Sequence, residues 1–531
     1  AAAAAARAEL APVDGVGGEQ WHAHHAVPLS ADVLLEWRTD IDAAAQNITF
    51  RVTARTRGWL GFGISPSGGM RGADIVMGWV DDDAHGHLHD RHATRNGRPE
   101  YDTQQDYELL DAGAADERTT LFFRRYWRTC DEANDRELFE GTSKVIYAYH
   151  PAQPVRTGDG ADDWRFERHT VRGTNSVNLL SAPTGDDDDD DDGGGDDEHR
   201  ERFEIRMPDV RVPPVDTSYL CRGFVLPEDL QDEKRHVVVS RPVIDERNVD
   251  NLHHYLLYAC DDALTDDEMA FVGDCYGADI PRRLQQCNFG QPLAVWAVGG
   301  GPTTMPRSTG LPFGGAFGKK YLLEVHYDNP ELREFRDSSG VQLEYVSRLR
   351  PIDAGILVSG ATVDAAALVV PPRRQFNITG FCTSECSARL PRTVNVFMSF
   401  LHAHVAGRAL YVRHYDASGA EKQMLSFNPH YDFDYQDVTR LWREVPFAPG
   451  DSLATTCVYN NTRDVPVLGG ASTKDEMCLS YFVYYPANSA PAQPDPALCL
   501  STVGVDALLR GLERAGAFAA LPADAVERAL A

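Results

Sequence analysis

Residues 59–79 contain two short apolar runs, Trp59-Leu-Gly-Phe-Gly-Ile64 and Asp74-Ile-Val-Met-Gly-Trp79, with a segment rich in Gly and Ser between them. Each run has the length of one β-strand. Similar runs recur on both sides, as Val33-Leu-Leu-Glu-Trp37, Ile48-Thr-Phe-Arg-Val52 and Lys144-Val-Ile-Tyr-Ala-Tyr149. Short strands divided by polar turns predict an all-β fold, with one β-sandwich over residues 21–150.

The remainder of the chain continues the same pattern. Residues 205–340 and about 348–490 show strand-like runs separated by Gly, Pro and Asp turns, with little helical periodicity. Two antiparallel jelly-roll sandwiches fit this pattern, and we assign them to residues 205–340 and 341–490.

Two segments lack this strand pattern. Residues 151–204 include the self-repelling run Asp186–Asp192, which predicts an acidic linker or insertion. Residues 491–531 form a tail, in which residues 505–514 have the apolar spacing of a short helix.

Length and charge limit the classes of function. The 531 residues suffice for three or four domains. A formal net charge of -29 argues against a nucleic-acid partner, because a polyanion would be repelled. No run of eighteen apolar residues occurs, so no membrane span is predicted. The start Ala1–Ala6 does not resemble a signal peptide, and we expect that such a segment was removed or that the sequence is a fragment.

Two groups of side chains have the character of metal ligands. In Phe-Leu-His402-Ala-His404-Val the spacing of two puts both imidazoles on one face of a strand. Met477 adds a thioether, a soft ligand that selects Cu(I). This group therefore predicts a redox copper site.

The other group is all imidazole and comprises His253, His254 and His326. Adjacent strand residues point to opposite faces, so His253 and His254 can bind one metal only from a twisted or bulged segment. On spacing alone this group is the weaker signal.

These residues belong to a longer ordered series that resembles the copper type II, ascorbate-dependent monooxygenases over roughly residues 205–500. The resemblance is to the branch of dopamine β-hydroxylase and the DBH-like monooxygenases. Trp59–Ile64 with Ala73–Val76 looks like a DOMON domain, an immunoglobulin-like sandwich that the peptide-amidating branch lacks. The series consists of His253-His254, Glu324–Pro330, Asp337–Gly340, Asp353–Ile356, His402–His404, Tyr431–Phe433, Pro449–Asp451 and Asp475–Cys478.

The resemblance implies two coppers per chain, reduced by ascorbate, with O2 and a small molecule as substrates. It implies that the all-His site and the His/His/Met site lie in separate sandwiches and face each other across a solvent-open cleft. It also assigns catalytic roles to Tyr219 and His402. The alternative for Tyr219 is a buried aromatic residue beside a disulfide.

The resemblance further implies a set of disulfides. Cys130 and Cys386 are left over; they pair with each other, stay free, or have lost their partners. Ten cysteines and acceptor triplets for N-glycosylation at Asn47, Asn377 and Asn460 favour an oxidising location, either extracellular or in a secretory vesicle. The implied pairs are Cys221–Cys275, Cys260–Cys287, Cys382–Cys499 and Cys457–Cys478.

The predicted function is hydroxylation of a C–H bond in a small, phenylethylamine-like amine. Two alternatives stay open: a peptidylglycine α-hydroxylating monooxygenase, and a non-catalytic secreted DOMON or copper-binding protein. The DOMON-like domain disfavours the first alternative, and the full set of six ligands disfavours the second.

Overall fold

The computed structural model describes residues 10–18, 21–40, 46–182, 198–365, 368–488 and 498–501. The chain divides into two compact units at residues 183–184. The predicted linker run Asp186–Asp192 and the predicted helix at residues 505–514 lie outside the described residues. Within the described ranges, no helix is long and apolar enough to cross a membrane.

The first unit is built from strands alone in its described part. Its strands are β1 His25–Ser30, β2 Val33–Asp40, β3 Asn47–Ala54, β4 Trp59–Ser65, β5 Ala73–Val80, β6 Gly86–Ala93, β7 Glu100–Tyr101, β8 Glu108–Ala115, β9 Arg118–Tyr126, β10 Ser143–His150, β11 Val155–Arg156, β12 Trp164–Arg165 and β13 Val171–Val177.

Two sheets, β1-β2-β3-β9-β8 and β13-β10-β4-β5-β6-β7, form the predicted sandwich of the first unit. Strands β4 and β5 are buried along their whole length. One face of these strands, with Phe62 and Val76, joins the core between the two sheets. The other face, with Trp59 and Trp79, lies in a second apolar cluster that includes Trp164.

The second apolar cluster corrects the predicted start of the linker. Residues 151–182 belong to the first unit, because Val171–Val177 pairs with β10 and because Trp164 and Phe166 cover the outer face of β5. The ring centroids of Trp79 and Trp164 are 4.7 Å apart. The prediction of a linker from residue 151 is therefore wrong for these residues, whose apolar side chains complete a core.

The second unit contains two sandwiches. The strands of the first are β14 Glu201–Arg206, β15 Val210–Val212, β16 Thr217–Val225, β17 Arg235–Val243, β18 Leu252–Ala259, β19 Val272–Asp274, β20 Pro292–Ala297, β21 Thr303–Thr304, β22 Thr309–Phe313, β23 Lys320–Asp328, β24 Phe335–Asp337, β25 Gly340–Val346 and β26 Ile352–Asp353. The strands of the second are β27 Gly355–Ala361, β28 Val369–Val370, β29 Arg374–Cys382, β30 Val394–His402, β31 Gly407–Tyr415, β32 Glu421–Asn428, β33 Thr439–Phe447, β34 Ser452–Asn461, β35 Val467–Leu468, β36 Leu479–Tyr485 and β37 Leu498–Ser501.

Helices in the described part of the second unit are single turns. The α-helices are α1 Asp266–Met269, α2 Arg282–Gln285 and α3 Ser384–Ser387, and the 3-10 turns are Glu228–Leu230, Glu246–Asn248, Gln286–Phe289 and Gly315–Phe317.

Each sandwich of this unit pairs two main sheets. The first has β14-β25-β17-β22-β26 and β19-β16-β23-β18-β20, and the second has β33-β30-β36-β27-β37 and β29-β34-β31-β32. Strand β25 lies between β14 and β17, so Gly340–Val346 belongs to the first sandwich. The predicted boundary at residues 340 and 341 is therefore wrong, because the chain completes one more central strand before it enters the second sandwich.

A continuous apolar core joins the two sandwiches. It includes Leu293 and Trp296 of the first sandwich together with Ile356, Phe400 and Tyr481 of the second. Buried side chains of this kind resist separation, since each stabilises the packed state by about 1.5–3 kcal/mol. This core holds β18 and β23 of the first sandwich beside β30 and β36 of the second.

All four implied disulfide pairs occur in the structure, Cys221–Cys275, Cys260–Cys287, Cys382–Cys499 and Cys457–Cys478. The sulfur of Cys386 also lies within bonding distance of Cys499. Because a sulfur atom forms one disulfide bond, Cys382 and Cys386 compete for this partner. Among the described residues Cys130 is free and exposed, so it is not bonded to Cys386 here.

Two of the three predicted glycosylation sites lie on neighbouring strands. Asn377 on β29 and Asn460 on β34 both have exposed side chains. Glycosylation at these residues and at Asn47 stays a prediction.

Candidate metal centre

The first station, as we call His253, His254 and His326, lies on the paired strands β18 and β23 of the first sandwich. His254 is opposite His326, and the register shifts between Leu252 and His254. His253 is therefore the extra residue of a β-bulge, which turns two adjacent histidines toward one point. The predicted bulge is confirmed.

The three imidazoles of the first station converge through one kind of nitrogen. Nδ1 of His254 lies 3.1 Å from Nδ1 of His253 and 3.3 Å from Nδ1 of His326. Nitrogens that share one ion at bond lengths of about 2 Å lie about 3 Å apart. The spacing of these Nδ1 atoms thus fits ligands of one metal ion.

Their outer nitrogens are held by other groups. Nε2 of His253 donates to the carbonyl oxygen of Phe433 at 3.0 Å, and the Phe433 ring stacks on the His253 ring with centroids 3.9 Å apart. Nε2 of His326 contacts the hydroxyl of Thr473 at 3.1 Å. With Nε2 protonated in this way, His253 keeps Nδ1 free for a metal.

The second station, as we call His402, His404 and Met477, lies where β30 ends. The strand stops at His402, and His404 lies two residues beyond it, so the prediction of one strand carrying both is wrong for His404. The two rings are nevertheless neighbours, with centroids 5.2 Å apart. His402 is opposite Leu479 of antiparallel β36, and Met477 precedes Leu479 by two residues in the chain.

Hydrogen bonds select the opposite nitrogen in this station. Nδ1 of His402 donates to Oε1 of Gln436 at 2.7 Å, and Nδ1 of His404 donates to the carbonyl oxygen of Asp475 at 3.2 Å. Nε2 of His404 is buried and has no hydrogen-bond partner within the described residues. Both histidines thus keep Nε2 available for a metal.

A buried carboxyl group, that of Glu476, holds the segment that carries His404. Oε2 of Glu476 accepts from N of His404 at 2.8 Å, and Oε1 accepts from N of Ala406 at 2.6 Å. Burial raises the pKa of Glu476 to about 8. The hydroxyl of Tyr459 donates to the carbonyl oxygen of Met477 at 2.6 Å, which holds the adjacent residue as well.

The two stations are close neighbours in this structure. The ring centroids of His254 and His402 are 5.2 Å apart, and those of His326 and His404 are 6.4 Å apart. All five histidines are at most 5% exposed. The expectation of a solvent-open cleft is therefore wrong for this conformation, which is closed.

Burial also decides the charge of the five imidazoles. It lowers the pKa of His253 to about 3 and that of His402 to about 4. It holds the pKa of His254, His326 and His404 well below the usual range. All five are thus neutral at pH 7, which is the form that binds metals.

The donor sets fit copper. Three imidazole nitrogens suit a copper ion, and two imidazoles with a thioether favour its reduced form. The unpartnered Nε2 of His404 is a specific sign of an absent ligand, since buried polar atoms are normally hydrogen-bonded.

Tyr219 lies at the first station. Its ring stacks on the His326 ring, with centroids 4.3 Å apart and planes 6° apart. Its hydroxyl is buried without a hydrogen-bond partner in the described part of the chain, and burial raises its pKa well above 10. The contact fits a packing role for the ring.

Sequence reasoning missed three side chains of this centre: Gln436, Glu476 and Thr473. Glu476 and Gln436 contact the histidines only because distant segments meet, at sequence separations of 72 and 34 residues. Glu476 carried one usable signal, since it precedes Met477 directly.

Family models and known proteins agree with this architecture. Residues 203–334 match the model for the N-terminal domain of copper type II ascorbate-dependent monooxygenases, residues 352–509 match the model for the C-terminal domain, and residues 29–150 match the DOMON domain.

Three relatives illustrate the similarity over most of the chain. DBH-like monooxygenase protein 1 of Gallus gallus is 36% identical over 474 residues, covering 87% of this chain and 74% of that protein. The protein of the same name from Homo sapiens is 35% identical, with coverages of 87% and 74%. Dopamine beta-hydroxylase of Bos taurus is 33% identical, with coverages of 90% and 75%.

Proposed function

The chain belongs to the copper type II ascorbate-dependent monooxygenases, and we propose that it hydroxylates a C–H bond of a small amine with O2. The observation that carries this proposal is the convergence of three imidazole Nδ1 atoms, with two further buried histidines next to them. The family relationship makes the chain a monooxygenase that uses copper and ascorbate. The substrate and the role of each residue are the proposed part.

In this proposal each station holds one copper ion. His253, His254 and His326 bind the first through Nδ1. His402 and His404 bind the second through Nε2, together with the sulfur of Met477. Bound copper supplies the one-electron redox steps and the O2 binding that hydroxylation with ascorbate requires.

The surrounding residues position these ligands and exclude water. Phe433 and Thr473 hold the first station by its outer nitrogens, while Gln436 and the carbonyl of Asp475 hold the second. Outer partners of this kind fix the orientation of each ring and typically change metal affinity 10- to 100-fold. Burial of all five histidines keeps reactive species away from solvent.

Two carboxylates close in sequence to residues of the first station and its surroundings support a cationic substrate. Asp328 follows His326 by two residues, and Asp434 follows Phe433. Burial, with the neighbouring Asp434 and Asp216, raises the pKa of Asp328 to about 6. Lys474 pairs with Asp216 at 2.8 Å. At neutral pH, Asp328 and Asp434 would attract an ammonium group.

The location we propose is outside the cytosol, in the extracellular space or a secretory vesicle. Disulfides form and persist in oxidising compartments, and at least four bridges stabilise the second unit.

Oxygen uptake tests the proposed activity. The full chain, loaded with copper and reduced by ascorbate, is offered phenylethylamines, the matching uncharged phenylethanols and glycine-extended peptides. We expect ascorbate-dependent uptake and a hydroxylated product with the amines. Turnover of peptides alone would establish the peptidylglycine alternative. Two bound coppers without turnover of any substrate would favour a copper-binding protein.

A charge variant tests the choice of an amine. In Asp328→Asn with Asp434→Asn we expect KM for the amine to rise about 10-fold and KM for the uncharged analogue to stay within about twofold. Asp159→Asn, which removes an exposed carboxylate of the first unit, is the matched control. Equal changes for both substrates would contradict a role of these carboxylates in substrate choice.

A further inference from the structure

One side chain of the second sandwich lies between the two stations. Gln436 is 2% exposed, and its Nε2 donates to the carbonyl oxygen of Phe433 at 2.8 Å. This contact orients the amide, so Oε1 faces His402 and accepts from its Nδ1 at 2.7 Å. The carbonyl of Phe433 also accepts from Nε2 of His253 at 3.0 Å.

These contacts form one hydrogen-bonded path between the stations. It runs from Nε2 of His253 to the carbonyl of Phe433, then through the amide of Gln436 to Nδ1 of His402. The carbonyl oxygen has two lone pairs and accepts both bonds. Every group on this path is buried, so water does not readily replace any of them.

The path determines which nitrogen each station offers. A neutral imidazole carries its proton on one nitrogen and presents the other as a ligand. Donation to Gln436 keeps the proton of His402 on Nδ1 and frees Nε2. Donation to the Phe433 carbonyl keeps the proton of His253 on Nε2 and frees Nδ1. A single loop thus selects opposite tautomers in the two stations.

The loop that carries Gln436 is itself fixed to both sandwiches. N of Gln436 donates to the carbonyl of Val298 at 2.8 Å, and N of Val298 donates to the carbonyl of His253 at 2.7 Å. At the other end, the hydroxyl of Tyr431 donates to the carbonyl of Ala403 at 2.6 Å, between His402 and His404. The loop therefore contacts the backbone beside each station.

We propose that Gln436 is a positioning residue that couples the two copper stations, selecting the His402 tautomer directly and supporting that of His253 through Phe433. This inference rests on the proposed function, since it takes both stations as copper sites. It assigns no chemical step to Gln436. It predicts that the affinity of one station responds to a change in a side chain that binds neither metal.

Two variants separate the role of the Gln436 side chain as an acceptor from its role as a donor. Gln436→Met keeps the length of the side chain and removes both hydrogen bonds. Gln436→Glu keeps an acceptor for His402 and removes the donor to the Phe433 carbonyl. Gln423→Met, the same exchange at an exposed glutamine of β32, is the matched control.

Copper affinity is measured for each station by competition with a Cu(I) chelator. In Gln436→Met we expect the second station to bind copper about 10- to 100-fold more weakly and the first about threefold more weakly. In Gln436→Glu we expect the second station to recover to within about threefold of wild type. Gln423→Met should match wild type.

A second readout reports the tautomers without copper. In the metal-free full chain with ¹⁵N-labelled histidine, NMR should show His402 protonated on Nδ1 in the wild type and a mixture of tautomers in Gln436→Met. A purely structural role of Gln436 would lower the melting temperature and leave the tautomer unchanged, which would overturn the proposal.

The outcomes distinguish this inference from the proposed function. Fewer than one copper in the wild type would refute the proposed function. Two coppers in the wild type, with unchanged affinities in Gln436→Met, would refute only the role of Gln436. If Gln436→Met does not fold, Gln436→Glu decides: copper affinity at the second station near wild type supports the proposal, and a loss above 10-fold overturns it.

Discussion

The two stations present their histidines through opposite ring nitrogens and are built on different kinds of backbone. The first station offers Nδ1 and lies within paired strands, where a bulge at His253 turns two adjacent residues to one side. The second offers Nε2 and continues past the end of β30 into a loop. A sheet carries all three histidines of the first station, whereas in the second station it carries His402 and ends before His404.

This difference shows which groups fix the backbone of a ligand where the strand ends and ladder hydrogen bonds are no longer present. Ladder hydrogen bonds fix the backbone of His254 and His326. Beyond His402, the carboxyl group of Glu476 accepts from two backbone N–H groups, those of His404 and Ala406. One buried side chain thereby takes over the role of a neighbouring strand, and we expect the two stations to respond differently to substitution.

The largest effect should follow the loss of a ligand from the sheet-built station. In His326→Ala we expect copper content to fall by about one equivalent and turnover by at least about 1,000-fold, since only two Nδ1 donors remain. Metal analysis and ascorbate-dependent oxygen uptake measure both. His199→Ala removes an exposed histidine and should change neither. Two full equivalents in His326→Ala would exclude this residue as a ligand.

Met477→Ile tests the soft donor of the loop-built station. Because isoleucine has similar bulk and no sulfur, we expect Cu(I) affinity to fall at least about 10-fold while Cu(II) affinity changes less than about threefold. Hydroxylation activity should be lost while the fold is retained. A melting curve measured in parallel checks the fold, because the adjacent Cys478 forms a disulfide that a packing defect could disturb. Met424→Ile exchanges an exposed methionine of β32 as a control. Retained Cu(I) affinity and activity would make Met477 a core residue only.

Glu476→Gln should weaken the second station and spare the first. The amide keeps one acceptor oxygen and turns an NH2 donor toward a backbone N–H, so we expect a loss of about 1–3 kcal/mol in unfolding free energy. Copper affinity at the second station should fall about 10-fold. Glu421→Gln on β32, where the side chain is exposed, is the control. An equal loss of copper affinity at both stations would contradict the conclusion that Glu476 supports the second station alone.

Tyr219→Phe should have the smallest effect. The buried hydroxyl has no partner within the described residues, so its removal should stabilise the protein by about 1 kcal/mol and leave activity within about threefold. Chemical denaturation and steady-state kinetics measure these values, with Tyr126→Phe as the exposed control. A fall in kcat above about 100-fold would instead give the hydroxyl a catalytic role.

Sequence reasoning identified much of the fold because strands leave local patterns. The runs at Trp59–Ile64 and Asp74–Trp79 lie within β4 and β5, and the required bulge at His253 is present. Local patterns did not reveal that Trp164 and Phe166 complete a core, or that β25 belongs to the first sandwich. Those features depend on which segments meet after folding.

The candidate centre likewise combines features that the sequence predicts with features that it does not. Its six predicted ligands stand out by residue type, and the resemblance to the family placed them in one ordered series. The closed arrangement, the choice of ring nitrogen and the roles of Gln436 and Glu476 depend on contacts between distant segments. The type of residue alone does not show that Gln436 will accept from a buried histidine, and Glu476 is marked only by its position before Met477.

Anomalous X-ray diffraction at the copper edge, on crystals of the full chain loaded with copper, tests the central comparison most directly. We expect two copper peaks, one bonded to Nδ1 of His253, His254 and His326, the other bonded to Nε2 of His402 and His404 and to the sulfur of Met477. A single peak, or a copper bonded to Nε2 of His253 or to Nδ1 of His402, would contradict the account of two stations with opposite tautomers.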